Sequence, residues 1–299
     1  MRKLLAFAAA LLAFVQIYAA TPEQEKTNRE IFDRVYAAVK DKADLPTGQL
    51  ALEIGKQFLG TEYVGFTLEV EPESLQIFLD KTDCILFVEM ISAFALTVKG
   101  EKIVQAGNGK KFCVRETPSV RKADPSYELL CYNIQNMRYR LGKVNGYGSR
   151  LHYTSEWIFQ NETNGILREF SKDLGKPFNQ SFYYMTTHKD IYKQLKGDDK
   201  QTAIVKQAET LLNTMVPYYY ISQESLRKPE IISQIQDGDI ITFVDTLPGL
   251  DLAHVAMACK GDDGKMHFIH ASSVKKKVVF EEKTLADYAR NGIRISRLR

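Results

Sequence analysis

What the chain has little of narrows its function before any motif is read. No basic block is longer than Lys275, Lys276 and Lys277, and the formal net charge is only +3. That is not the electrostatic footprint of a nucleic-acid binder, so no nucleic-acid partner is expected. No glycine-rich loop has the spacing that cradles phosphate. No grouping of His, Cys and Asp has metal-ligand spacing, so neither a metal nor another cofactor is expected. Beyond the first twenty residues no apolar run approaches the about 20 residues of a membrane span. Internal repeats and low-complexity segments are absent. The 37 acidic residues make chance carboxylate pairs common, so no glycosidase pair stands out.

What is present is an ordinary globular balance over 299 residues, 44 % apolar and 26 % charged, enough to bury a sizeable core. The first twenty residues differ in kind. Arg2 and Lys3 are followed by an almost wholly apolar run from Leu4 to Tyr18, then small Ala19 and Ala20 before polar Thr21 and Pro22. This is the three-part pattern of a secretory signal peptide over 1–20. It implies an exported protein, periplasmic or secreted, with no stable membrane insertion after cleavage. Four cysteines follow: Cys84, Cys113, Cys131 and Cys259. Export favours disulfides, and Cys113 with Cys131 is one pairing the count allows. Cys259 lies in an apolar strand-like run and reads as a buried thiol.

Patterning predicts helices first and a sheet last. Thr21 to Lys40 is helical, with Ile31, Val35 and Val39 repeating every four residues. Gly48 to Leu59 is a second helix stopping at Gly60. Phe66 to Val70 and Ser74 to Leu79 read as a strand and an extended piece. Asp83 to Ala95, with Glu89 as its one charge, reads as a buried helix. From about 97 to 236 only Asp199 to Met215 stands out as a helix. After Gln236 the runs Ile240–Val244, His254–Cys259, Met266–His270, Lys277–Phe280 and Ile293–Leu298 are short strands. Gly261-Asp-Asp-Gly264 supplies a hairpin turn. The fold class is α+β with a central antiparallel sheet.

Cys84 opens the apolar helix. A thiol there meets the positive end of the helix dipole and unpaired backbone N–H groups, which favour thiolate and can hold an oxyanion; the alternative is a buried structural cysteine. His254 begins the run His254-Val-Ala-Met-Ala-Cys259. As a strand residue it shares a face with Ala256 and Ala258, leaving room for the helix that carries Cys84. His267 and His270 point to opposite faces of the next strand, so only one can join His254. The set has the form of a Cys-His-polar triad. His188, among Thr186, Thr187, Lys189 and Asp190, reads as a surface residue.

Five segments in order carry a resemblance: Leu59-Gly-Thr-Glu-Tyr63, Asp83-Cys-Ile-Leu-Phe-Val88, Asp237-Gly-Asp-Ile-Ile-Thr-Phe243, His254-Val-Ala-Met257 and Phe268-Ile-His-Ala-Ser272. Together they resemble the successive motifs of the NlpC family of papain-like cell-wall peptidases. The resemblance implies a papain-like α+β catalytic domain over 21–299, with a large insertion at about 97–236 between the nucleophile helix and the core sheet. It implies Cys84 as nucleophile, His254 as base and His270 as the residue that orients the base. Tyr63 would line the site near the oxyanion. Inside the insertion, Gly148-Ser-Arg-Leu-His-Tyr-Thr-Ser-Glu-Trp157 resembles the signature of the N-acetylmuramoyl-L-alanine amidase-like branch. It marks Ser149, Arg150, His152, Tyr153 and Trp157 as substrate-binding candidates. An aromatic cluster packing the insertion is the alternative reading of the same residues. The implied function is hydrolysis of the amide between N-acetylmuramic acid and L-alanine in muropeptides, soluble fragments of peptidoglycan, through a Cys84 thioester. The rivals are a stem-peptide endopeptidase cutting after γ-D-glutamate and a non-catalytic wall-binding module.

Overall fold

The computed structural model describes residues 20–106 and 120–299. Residues 1–19 of the expected signal peptide and Cys113 lie outside the described residues. Among the described residues no helix is long and apolar enough to cross a membrane.

Helix α1 (Pro22–Val39) starts where the sequence signals it: the Thr21 hydroxyl accepts from the Gln24 N–H, and Pro22 stands in the first turn. It buries Phe32, Val35 and Val39. Helix α2 (Thr47–Lys56) buries Leu50, Ala51 and Ile54, and the chain turns out at Gly60 with φ +89°. Two-residue strands β1 (Glu62–Tyr63) and β2 (Lys81–Thr82) lead to helix α3 (Cys84–Val98). Every residue of α3 from Leu86 onward is buried, as an apolar-all-round helix requires. It packs between α2 and helix α4 (Tyr127–Arg138), against the sheet.

The segment 66–70 is not a strand. Phe66 sits at φ +62° and is 89 % exposed. The backbone is held instead by Arg150, which donates to the Leu68 carbonyl at 2.9 Å.

The stretch 97–236 is more regular than its composition predicts. Besides α4 it contains helix α5 (Thr154–Thr163) and helix α6 (Asp199–Asn213), with short strands β3 (Glu101–Ile103), β4 (Val120–Lys122), β5 (Leu167–Glu169), β6 (Lys176–Phe178) and β7 (Tyr218–Tyr220). The helical periodicity of α4 and α5 is hidden because core positions are taken by amides. Asn133 accepts from the Ile103 N–H and donates to the Glu101 carbonyl. Asn161 donates to the Met137 and Trp157 carbonyls. Both are fully buried; the Asn133 amide is paired on both ends, while Asn161 pairs its N–H2 and leaves Oδ1 without a partner. Leu130, Ile134, Met137, Trp157 and Ile158 join the same core as α1, α2 and α3.

The carboxy-terminal strands are β8 (Ile240–Val244), β9 (Leu252–Lys260), β10 (Met266–Ser272), β11 (Lys277–Glu281) and β12 (Ile293–Leu298). The eight-stranded sheet runs β2-β1-β11-β10-β9-β8-β12-β5. It is mixed rather than wholly antiparallel, because β1 and β2 pair in parallel. Two cores lie on its faces. Val255, Met257, Cys259 and Ile269 face the helical layer. Ala256, Ala258 and Phe268 face a second cluster with Phe243, Ile241, Leu285 and Ile295. The small residues beside His254 therefore make room for aromatic and aliphatic side chains of this second core, not for α3.

Candidate active site

Strand β2 delivers Asp83, whose carboxylate caps α3 by accepting from the Leu86 N–H at 2.9 Å. Cys84 follows as the first helical residue, half-buried, with a free thiol. Its sulfur is approached by the N–H groups of Val255, Ile85 and Cys84 itself. Val255 immediately follows His254, so the helix start reaches the strand beside the histidine. Burial, reinforced by the Asp83 charge, pushes the thiol up to about 12, against those N–H groups. Desolvation thus outweighs the helix-end effect that favours thiolate, and the resting sulfur is a thiol at neutral pH.

His254 lies at a register shift between β8 and β9, at Phe243/Val244. Such bulges redirect side chains beside active sites. Its ring stacks on Phe243 with centroids 5.7 Å apart. Its Nε2 is 2.6 Å from Nδ1 of His270 on β10. Burial, then the neighbouring His270, brings His254 down to about 3. Burial also lowers His270, against the pull of Glu281. Both rings are neutral near pH 7. His267 projects from the opposite face of β10, between the Glu281 carbonyl, Asp263 and the Phe280 ring.

Glu281 is a member of this chain that motif reading misses. Its Oε2 lies 3.4 Å from His270 Nε2, a charge contact longer than a tight hydrogen bond. Burial alone would raise its pKa; the Lys283 N–H, Lys275 and His270 together hold it lowered. His270 Nε2 is buried without a hydrogen bond, and the carboxylate facing it favours the tautomer with the proton on Nε2, which leaves Nδ1 of His270 as the acceptor. His254 then donates through Nε2–H, and its Nδ1 carries the free lone pair. The signal was the register: Phe268 pairs with Glu281 and His270 with Val279, so Glu281 is the diagonal neighbour of His270. That register depends on the length of the β10–β11 turn.

Tyr63 ends β1, half-buried. Its phenol is raised first by burial and then by the ionisable groups of Cys84 and Asp83, which places it beside both. The residues from the insertion turn inward. Arg150 is buried, 2.8 Å from Glu69 and 3.8 Å from Glu73, over the Tyr147 ring. Its charge still reaches Asp83. Ser149 Oγ donates to the Gly146 carbonyl and accepts from the Asn145 N–H. His152 Nε2 lies 2.8 Å from the Tyr147 carbonyl; burial, then Arg150, brings its pKa down to about 3. The Tyr153 hydroxyl donates to Glu209, and its ring is 1 % exposed. Trp157 is 2 % exposed, in the main core. The fold sets His254 against His270, Tyr63 beside Cys84, and Cys84 against the N–H of Val255, the residue after His254; Ser149, Arg150, His152, Tyr153 and Trp157 spend their polar groups or rings inside the protein.

A cavity of about 790 Å³ is lined by Lys260 and Met266 among others, with neither Cys84 nor His254 on its wall. Chemistry points instead to a smaller one of about 340 Å³, lined by His254, Phe243 and Tyr288. Among the described residues no three His, Cys, Asp or Glu side chains group as a metal site.

Residues 53–294 match the AmiA-like family, described as N-acetylmuramoyl-L-alanine amidase-like. The chain is similar to the crystal structure of an N-acetylmuramoyl-L-alanine amidase from Bacteroides uniformis, with 32 % identity and TM-score 0.72 over 85 % of this chain and 99 % of that one. A Legionella pneumophila protein of the DUF1460 family model, 19 % identical, shares the fold at TM-score 0.62 over 93 % of this chain and 97 % of that one. No curated protein matches the chain.

Proposed function

The chain belongs to the AmiA-like family, and from that premise we propose that it is an exported cysteine amidohydrolase. It would cleave the amide between N-acetylmuramic acid and L-alanine in muropeptides. The scaffold would be a papain-like, NlpC-type core with its insertion at about 97–236. The observation that supports this reading is a thiol at a helix start against the N–H of Val255, the residue after His254, together with a 2.6 Å contact between the His254 and His270 imidazoles.

The chemistry starts from a neutral pair. As the Cys84 sulfur attacks the lactyl carbonyl carbon, its proton passes to Nδ1 of His254. The carbonyl π electrons move to oxygen, and the N–H groups of Cys84 and Ile85 stabilise that oxyanion. Collapse breaks the C–N bond, and His254 returns the proton to the departing amine of L-alanine. A thioester remains. His254 then takes a proton from water as its oxygen adds to the thioester carbonyl; collapse breaks the C–S bond, releases the lactyl carboxylic acid, and His254 returns the proton to the departing sulfur, regenerating the thiol. His270 holds the ring of His254 in the tautomer this sequence needs, and imidazolium formed in the transition state faces an acceptor rather than a competing donor.

Mass spectrometry of products from a defined muropeptide tests the reading. Free disaccharide and intact stem peptide, lost in Cys84→Ala, are expected. A cut after γ-D-glutamate would replace the amidase with a stem-peptide endopeptidase, and uncleaved but retained substrate would mean a binding module. Export is tested by the mass of the mature amino terminus, expected to begin near Thr21.

A further inference from the structure

Resting on the amidase reading, we infer that the cavity opening from His254 toward Arg290 is the leaving-group subsite, and that Arg290 with Lys283 reads a carboxylate of the stem peptide. The base must protonate the departing amine, so that amine lies at His254. Whatever follows the amine runs into the space beyond the ring. That space is the cavity of about 340 Å³ floored by Phe243 and Tyr288, with Lys283, Arg290 and Asn291 on its wall. It adjoins a second cavity of about 390 Å³ that shares Val244, Arg290 and Asn291 and extends to Tyr220 and Gln223. Arg290 thus stands at the junction of the two.

The charge there is positive, and among the described residues neither Arg290 nor Lys283 is in an ion pair. Asp287, the acidic residue on this lining, is turned to Arg227 at 3.7 Å and accepts from Thr284 at 2.7 Å. The guanidinium and ammonium are left to a ligand. The stem peptide released by the proposed reaction is an extended chain with free carboxylates. A planar guanidinium matches a carboxylate in bidentate geometry. The aromatic floor under Phe243 and Tyr288, whose rings are 5.1 Å apart, suits the aliphatic backbone and methyl groups between those charges.

The experiment compares two muropeptides that differ only in whether the stem glutamate carboxyl is free or amidated. The parent is expected to favour the free acid by roughly tenfold in kcat/KM, mostly through KM. Arg290→Ala should bring the two substrates within about twofold, and Arg290→Lys should keep part of the preference. The thermal midpoint of each variant, expected to match the parent, shows that the turn is folded. Equal efficiency of the parent on both substrates, or a preference that survives Arg290→Ala, overturns the subsite while leaving the amidase reading standing. No Cys84-dependent turnover of either muropeptide overturns both.

Discussion

His254 and His270 meet edge to face, their ring planes at 81° and Nε2 and Nδ1 2.6 Å apart. One proton lies between two neutral rings, and its direction decides whether His254 can act as a base.

His270→Ala removes the acceptor and should lower kcat by about 100-fold or more, the scale of losing a triad's orienting group. His267→Ala should leave kcat nearly intact. Steady-state kinetics on both variants checks this, and equal losses would contradict the opposed faces of β10.

Glu281→Gln keeps the shape but offers His270 Nε2 an amide instead of a carboxylate. A fall in kcat of about tenfold with KM little changed is expected. The ¹⁵N shifts of His270 should move from the Nε2–H tautomer toward a mixture. A purely structural role would lower the melting temperature without altering the tautomer.

Cys84 should react as a half-buried, desolvated thiol. With its pKa pushed up to about 12, the thiolate fraction is small at pH 7 and grows about tenfold per pH unit. Alkylation at Cys84 should climb steadily from pH 7 to pH 9 without levelling off. A plateau by pH 6 would reveal a resting thiolate–imidazolium pair instead.

Trp157→Ala should destabilise the fold by about 3–5 kcal/mol, the scale of emptying a large core position. Arg150→Ala should cost about 3 kcal/mol by leaving Glu73 buried beside a lost cation. Chemical denaturation measures both. For Trp157→Ala, turnover per folded molecule should change far less than stability; unchanged stability with raised KM would restore Trp157 to the substrate.

His152 titrates near 3 when folded, below the usual histidine value of about 6.5. Between those values the unfolded chain binds the proton and the folded chain does not, so this group makes stability fall as pH drops through that window. His152→Gln, which keeps a donor for the Tyr147 carbonyl, should flatten that fall. Melting temperature against pH for parent and variant is the measurement, and parallel curves would contradict the assignment.

Local chemistry was legible in the sequence. Thr21 and Pro22 start a helix, Gly60 ends a turn, and alternating runs after Gln236 make strands, because each depends on a few neighbouring residues. Cys84 at the head of an apolar helix and the opposed faces of His267 and His270 follow from the same short-range geometry. Other features depended on atoms distant in the chain. The helices at Tyr127–Arg138 and Thr154–Thr163 hide behind buried amides whose partners lie on other elements. Segment 66–70 alternates like a strand but is held by Arg150. Whether Trp157 faces a substrate or a core, and whether Glu281 reaches His270, turns on sheet register and on what packs above. The ionisation of Cys84 reversed for the same reason: the helix dipole is written in the local sequence, while the desolvation that outweighs it exists only once strand β9 closes over the sulfur.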